Sequence, residues 1–142
     1  MKSKNKQIDI MKFEMYVKDI LNSMKTYLYL DEYTIEIEFL DEDHDDCFAE
    51  IATDIIYLSA LIKIYPVTRM LYRKKKYFQV FNHLVHEICH LFTEPINAEL
   101  CKYVVKGEDN ALLLDVTERQ TQRITIAIAR NTTEEVWNPE LR

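Results

Sequence analysis

The chain has 142 residues, the usual size of one domain, and 48% of them are apolar, which is enough for a compact core. One glycine and three prolines exclude a glycine-rich phosphate loop and long flexible linkers. The net charge of −6 gives no electrostatic case for nucleic-acid binding.

The first half of the chain predicts one helix followed by strands. Apolar residues recur at helical spacing over 8–29, and this predicts an amphipathic helix. Residues 34–40 alternate with period two and predict a half-buried strand. An acidic turn at 41–46 precedes a second predicted strand, 47–53. Residues 55–65, which Pro66 ends, are predicted as a third strand, although their periodicity does not exclude a buried helix.

The second half is helical by pattern. A helix is predicted over 68–93, and Pro95 is expected to end it. A short helix fits 96–105, with Gly107 placed to terminate it, and a last long helix fits 109–130. The order predicts a single α+β domain over residues 1–142: an N-terminal helix, a small three-stranded sheet, then helices. Residues 1–7 and 131–142 are predicted to be flexible tails.

Cysteines and charges bear on compartment and partners. The three cysteines are an odd number at unrelated spacings, so we expect reduced thiols in a cytoplasmic protein. Charges from Lys12 to Asp19 exclude a signal-peptide core, and the longest uncharged apolar stretch, 55–62, is too short to span a bilayer. The basic run 73–76 is interpreted as a solvated helix face and not as a nucleic-acid contact, because no aromatic stacking platform accompanies it.

The chemistry-bearing segment is His86-Glu87-Ile88-Cys89-His90, an HExxH motif inside the predicted helix 68–93. On a helical wheel the apolar residues gather on one side, and the motif's His and Glu side chains gather on the other. His86 and His90 are one turn apart, so both imidazoles can reach one metal ion such as zinc. Glu87 is displaced around the helix, where it can accept a proton from a metal-activated water and pass it to a leaving amine. The alternative is a helix whose exposed face happens to carry histidines.

A catalytic zinc site needs a third protein ligand, which the motif does not supply. No histidine follows at close spacing, so a carboxylate further along the chain is expected. Glu118 is our first choice, because it lies at the edge of the last helix's apolar side among small hydroxyl residues. Asp115 is the fallback ligand, and Gln122 is a candidate to support the ligand. The alternative for Glu118 is a surface ion pair with Arg119 or Arg123.

Each of three further residues near the motif allows two interpretations of its role. His83 lies one turn before His86 on the same face, where it either lines the cleft or binds the substrate, or else supports a metal ligand or faces solvent. Glu94 is on the site side at the predicted helix end, either near the metal or at the surface. Cys89 points between the two faces and is expected to be packed, not metal-bound.

With this motif the chain resembles the gluzincin branch of the zincin metallopeptidases. The likeness is carried by the HExxH motif, by Leu91 after it, and by the later helix with Glu118. The chain looks like the small HExxH proteins encoded by bacteriophages and prophages, over residues 34–130. Related proteases that continue into a zinc ribbon fit less well, since no CxxC pair is present. A related group that cleaves phage repressors uses the same kind of metal ligands and stays an alternative.

The resemblance implies a zincin-like arrangement with Zn²⁺ held by His86, His90 and Glu118, and with Glu87 as general base or acid. It also implies that an edge strand, here 47–53, holds extended peptide substrate by strand addition. For a phage-encoded protein it implies the host cytoplasm.

One departure from the family pattern concerns support of the third ligand. Many gluzincins carry an acidic residue where this chain has Gln122, four positions after Glu118. No transition-state stabiliser is assignable, although three tyrosines are candidates: Tyr57, Tyr65 and Tyr103.

Two functions therefore follow as predictions. The first is a zinc-dependent peptidase acting on a protein or peptide. The second is a non-catalytic binding module that keeps the fold and the metal site, because a chain this small has little room for a deep specificity pocket. Neither the substrate nor the oligomeric state follows from the sequence.

Overall fold

A computed structural model describes residues 2–103 and 108–142 and shows an α+β architecture. Within these residues there are five α-helices, three strands and a final 3₁₀ turn. They run in the order α1 (Lys2–Tyr27), β1 (Thr34–Phe39), β2 (Ala49–Asp54), β3 (Ser59–Ile64), α2 (Pro66–Arg73), α3 (Tyr77–Leu100), α4 (Glu108–Asn131), α5 (Glu134–Trp137) and the 3₁₀ turn Pro139–Leu141. The predicted α+β class and the three-stranded sheet are confirmed.

The sheet has the strand order β1–β3–β2, with β1 parallel and β2 antiparallel to the central β3. Alternate residues of β3, namely Ala60, Ile62 and Ile64, are buried, as period-two patterning requires. β2 lies at an edge of the sheet, so it has a strand partner on one side only, and it contacts α3.

The third strand is shorter than predicted. Residues 55–58 form a turn, because the Asp54 Oδ1 accepts hydrogen bonds from the backbone N–H groups of Ile56 (3.1 Å) and Tyr57 (3.2 Å). Leu58 then adopts φ of 49°, which an extended strand does not allow. The second strand likewise begins at Ala49, two residues later than predicted.

The core lies where α1, the sheet and α3 meet. Its fully or almost fully buried side chains on α1 recur at helical spacing: Phe13, Val17, Ile20, Leu21 and Met24. The helix begins at Lys2 and ends at Tyr27, so residues 2–7 are helical where a tail was predicted.

The single helix predicted over 68–93 is wrong, because two helices occupy the region. Lys75 takes φ of 58° and closes α2 with two hydrogen bonds: its N–H donates to the Tyr72 carbonyl (2.9 Å), and the Lys76 N–H donates to the Leu71 carbonyl (3.0 Å). This is the Schellman pattern of helix ends, with lysine where glycine is usual.

The prediction that Pro95 ends the motif helix is also wrong. α3 continues through Pro95 to Leu100, so the separate helix predicted at 96–105 is its C-terminal part. Proline removes one helical hydrogen bond. Thr93 and Asn97, on either side of it, are buried and bond to α4, and these contacts hold the segment helical. Gly107 lies outside the described residues.

The C-terminal segment packs on the core through Trp137, where a flexible tail was expected. The Trp137 ring lies 5.3 Å from the Phe78 ring, and the Tyr16 hydroxyl donates to the Trp137 carbonyl at 2.6 Å. Burial raises the pKa of Tyr16, so this phenol stays a donor throughout the neutral range. Among the described helices, none is both long enough and apolar enough to cross a membrane.

The three cysteines are free thiols in different environments, which predicts unequal reactivity. Cys89 is buried, and burial raises its pKa to about 11, whereas Cys101 is exposed. Because the thiolate is the reactive form, a disulfide reagent should modify Cys101 in the native chain, and Cys89 only after unfolding. Thiol titration with and without denaturant measures this. Cys101→Ser should remove the fast phase, and rapid native labelling of Cys89 would contradict the packing described.

Candidate metal centre

The orientation of α3 follows from its buried stripe. Phe81, Leu84, Val85 and Ile88 are fully buried against the core. Burying each such side chain stabilises the fold by roughly 1.5–3 kcal/mol, which fixes the rotation of the helix about its axis. The opposite face of α3 therefore faces the hollow between β2 and α4. Phe78, an apolar residue in the first turn of the same helix, is 44% exposed and lies against Trp137.

The structure brings His86, His90 and Glu118 together. The Glu118 Oε1 lies 2.8 Å from the His86 Nε2, and its Oε2 lies 3.5 Å from the His90 Nε2. One potential ligand atom from each residue falls within 4.8 Å of the others. The two imidazole rings are 5.0 Å apart and almost perpendicular, at 86°. Three donors from two helices thus converge on one point, although the Glu118 side chain is 56% exposed.

The hydrogen bonding of the imidazoles fits a cation at that point. In both rings the buried Nδ1 has no hydrogen-bond partner, and the Glu94 carboxylate is 3.7 Å from the His90 Nδ1. A neutral imidazole carries one N–H. With that hydrogen on Nδ1, the Nε2 lone pairs of both rings face the Glu118 carboxylate, and a cation between them would bind all three donors. Two imidazoles and one carboxylate are also a donor set of catalytic zinc, so the residues present fit this ion.

Glu87 lies in the same hollow but outside the three-residue group. Burial raises the pKa of its carboxyl to about 8, and the charges of Glu118 and Glu50 add to the rise. The backbone N–H of Ile51 on β2 acts in the opposite direction. Glu87 is half-buried and faces the edge of the sheet.

The hollow between β2, α3 and α4 has a volume of about 310 Å³. Its walls are Ala49, Glu50 and Ile51 on one side and the motif residues with Glu94 and Glu118 on the other. Glu50 pairs with Lys63 at 3.4 Å, and the Tyr65 hydroxyl is the main cause that lowers its pKa. The lining is accordingly rich in carboxylates around the two histidines.

Comparison with known proteins does not identify a family for this chain. No family model, curated protein or solved structure matches the chain. The resemblance carried by the HExxH motif thus stays a prediction that depends on the residues themselves.

The other predicted site residues are placed around the group and not in it. His83 stacks on Phe48 at 3.9 Å and 9°, and burial, followed by the charge of His86, lowers its pKa. Asp115, the fallback ligand, forms an ion pair with Arg119 and is exposed, so the structure does not bring it to the imidazoles. Gln122 is exposed.

None of the three candidate tyrosines lines the hollow. Tyr57 and Tyr103 are each 78% exposed, and Tyr65 is buried beside His44.

Sequence reasoning missed the surroundings of the group. The sequence did not indicate that the Ile51 backbone or Phe48 lies near the site, because neither position carries a reactive side chain. The threonines of α4 did give a signal, since Thr117, Thr121 and Thr125 recur every four residues, yet their partners on α3 were not foreseen.

Proposed function

We propose that this chain is a zinc-dependent hydrolase of peptide bonds. His86, His90 and Glu118 hold the ion, and Glu87 is the general base. The observation that carries the proposal is the convergence of two imidazoles on α3 with a carboxylate on α4. Zinc in such a site supplies Lewis acidity toward a carbonyl oxygen and lowers the pKa of water.

Glu87 performs the proton transfers in this proposal. The positive charge of a bound ion would lower the raised pKa of Glu87 and leave it ionised. Its carboxylate then accepts a proton from the attacking water and delivers it to the nitrogen of the leaving amine. Two observations support this role: Glu87 follows the ligand His86 directly on α3, and it lines the same hollow as all three ligands. Its burial limits competition from solvent water for that proton.

The edge strand β2 supports a peptide as substrate. Ala49, Glu50 and Ile51 form one wall of the hollow, and β2 has a strand partner on one side only. An extended peptide can add to such an edge by backbone hydrogen bonds, which select for chain conformation more than for side chains. The peptide carbonyl to be attacked then lies beside the imidazoles and Glu87.

Zinc-dependent cleavage of a diverse peptide mixture tests the proposed function. We expect the zinc-loaded chain to cut a subset of peptides, chelation to stop the cutting, and added zinc to restore it; mass spectrometry identifies the products. His86→Ala, purified in the same way, excludes a contaminating protease. Cleavage that survives chelation, or its absence across the whole mixture, would overturn the proposal.

A binding module with the same metal group is the second candidate. The observation in its favour is the small volume of the hollow, about 310 Å³, which is at the lower end for ligand pockets. A protein partner bound equally well by the wild type, by Glu87→Gln and by the chelated chain would favour the module over the peptidase.

A further inference from the structure

The interface between α3 and α4 is polar where buried helix contacts are usually apolar. Among the described residues, five buried side chains are polar: Thr68, Thr93, Asn97, Thr121 and Thr125. All except Thr68 lie between these two helices. A buried hydroxyl or amide destabilises the fold unless it is hydrogen-bonded, so their concentration in one interface needs an explanation.

These residues pair across the interface in a regular ladder with two rungs. The hydroxyls of Thr93 and Thr121 are 2.8 Å apart, and the Thr117 hydroxyl lies 3.2 Å from the Asn97 Oδ1. Cys89 and Thr125, which are both buried, continue the same four-residue spacing along the two helices. The two rungs are one helical turn apart on both helices, which run antiparallel. We call this set the polar seam.

Hydrogen-bond directions within the polar seam are constrained. The Thr121 hydroxyl donates to the Thr117 carbonyl at 3.0 Å, and the Thr125 hydroxyl donates to the Thr121 carbonyl at 2.9 Å. A hydroxyl carries one hydrogen. Thr121 is therefore the acceptor toward α3, and Thr93 is the donor. In this rung Thr93 donates and Thr121 accepts, and a shift of one helix along the other would break their hydrogen bond.

The consequence is a fixed register between α3 and α4. Apolar side chains tolerate small axial slips, but a slip of the polar seam leaves buried donors or acceptors unpaired, and an unpaired group of this kind is strongly disfavoured in a dry interface. Polar groups in helix interfaces are known to specify register in this way.

Glu118 depends on that register. It directly follows Thr117, and its own side chain is 56% exposed, so packing around the side chain does little to place it. Arg119, its neighbour, pairs with Asp115 and not with Glu118. The position of the Glu118 carboxylate at 2.8 Å from His86 is thus set by where α4 lies on α3.

We propose that the polar seam is the positioning device of the metal site. Thr93 and Thr121, supported by Asn97 and Thr117, hold α4 in the one register that lets Glu118 complete the group with His86 and His90. The proposal rests on the metal site of the proposed function and assigns a role to residues outside that site.

Thr121→Val tests the role, because valine keeps the shape and removes the hydroxyl. We expect the zinc Kd, measured by competition with a chromophoric chelator, to rise about 10–100-fold, as for loss of groups that orient metal ligands. The absorption spectrum of the cobalt(II)-substituted chain should change as well. Thr121→Ser, which keeps the hydroxyl, should restore both. Thr68→Val is the matched control, since this equally buried threonine lies outside the seam: it should lower Tm and leave the zinc Kd unchanged.

A double variant shows whether the effect passes through Glu118. In a Glu118→Ala background, Thr121→Val should leave the zinc Kd unchanged, since the ligand that the seam positions is absent. If Thr121→Val does not fold, Thr117→Val carries the same expectation at a half-buried position. Zinc binding by the wild type that Thr121→Val does not alter would overturn the positioning role alone. A wild type that binds no zinc would overturn the metal site and this role together.

Discussion

Replacing Glu87 with glutamine is expected to lower the rate of peptide hydrolysis by about 10²–10⁴-fold and to leave zinc bound. Glutamine is close to glutamate in shape and cannot accept the proton of the attacking water. The loss corresponds to roughly 3–5 kcal/mol of transition-state stabilisation. The measurement is kcat/KM on a peptide found to be cleaved, together with the zinc content of the variant.

Glu50→Gln is the matched control for that substitution. Glu50 lines the same hollow and loses the same charge, but it lies on β2 and pairs with Lys63. Its rate should fall by much less than that of Glu87→Gln. Equal losses in the two variants would show that the charge of the hollow, not a proton transfer by Glu87, governs activity. An unchanged rate in Glu87→Gln would refute the assigned base.

Substituting His86 by alanine is expected to weaken zinc binding by more than about 100-fold. Loss of a group that only orients a ligand costs about 10–100-fold in metal affinity, and removal of a ligand should cost more. The wild type at a hundredfold excess of zinc over Kd should gain about 2.7 kcal/mol, or roughly 5–10 °C in Tm. His86→Ala should gain almost nothing under the same conditions.

His83→Ala is the matched control for this second variant. His83 is on the same helix and stacks on Phe48, outside the three-residue group. It should lose some stability and keep the full zinc-dependent rise in Tm. A rise in Tm that persists in His86→Ala would place the zinc elsewhere on the chain.

The fold class could be predicted because it rests on periodicity. Ile35 and Ile37 alternate with polar residues, and Phe13, Val17 and Ile20 recur at helical spacing. Each pattern marks the buried face of its element and can be recognised without knowing what packs against that face. The predicted ends of the elements were wrong where contacts outside the element determine where it begins or ends. Asp54 turns the chain before β3, and Lys75 ends α2 in a conformation that glycine usually supplies.

Pro95 shows how tertiary contacts overrule a local rule. Proline disfavours a continuing helix, yet α3 passes through it, since Thr93 and Asn97 are held by α4. The two rungs of the polar seam join residues that are 20 and 28 positions apart, and the pattern of one helix does not contain such a pairing.

The candidate site likewise has one part that the sequence of a single helix predicts and one part that it does not. His86, Glu87 and His90 are predictable together because their spacing is a property of one helix. The choice of Glu118 came from the chemistry of zinc, which asks for a third donor. The structure places that carboxylate beside both imidazoles and leaves Asp115 on the surface with Arg119. Metal binding and catalysis by these residues stay predictions.

Anomalous diffraction at the zinc edge from crystals of the zinc-loaded chain tests the central proposal most directly. We expect one strong peak within ~2.3 Å of an imidazole nitrogen of His86, one of His90 and a carboxylate oxygen of Glu118. No peak after zinc loading, or a peak bound elsewhere with Glu118 turned to solvent, would contradict it.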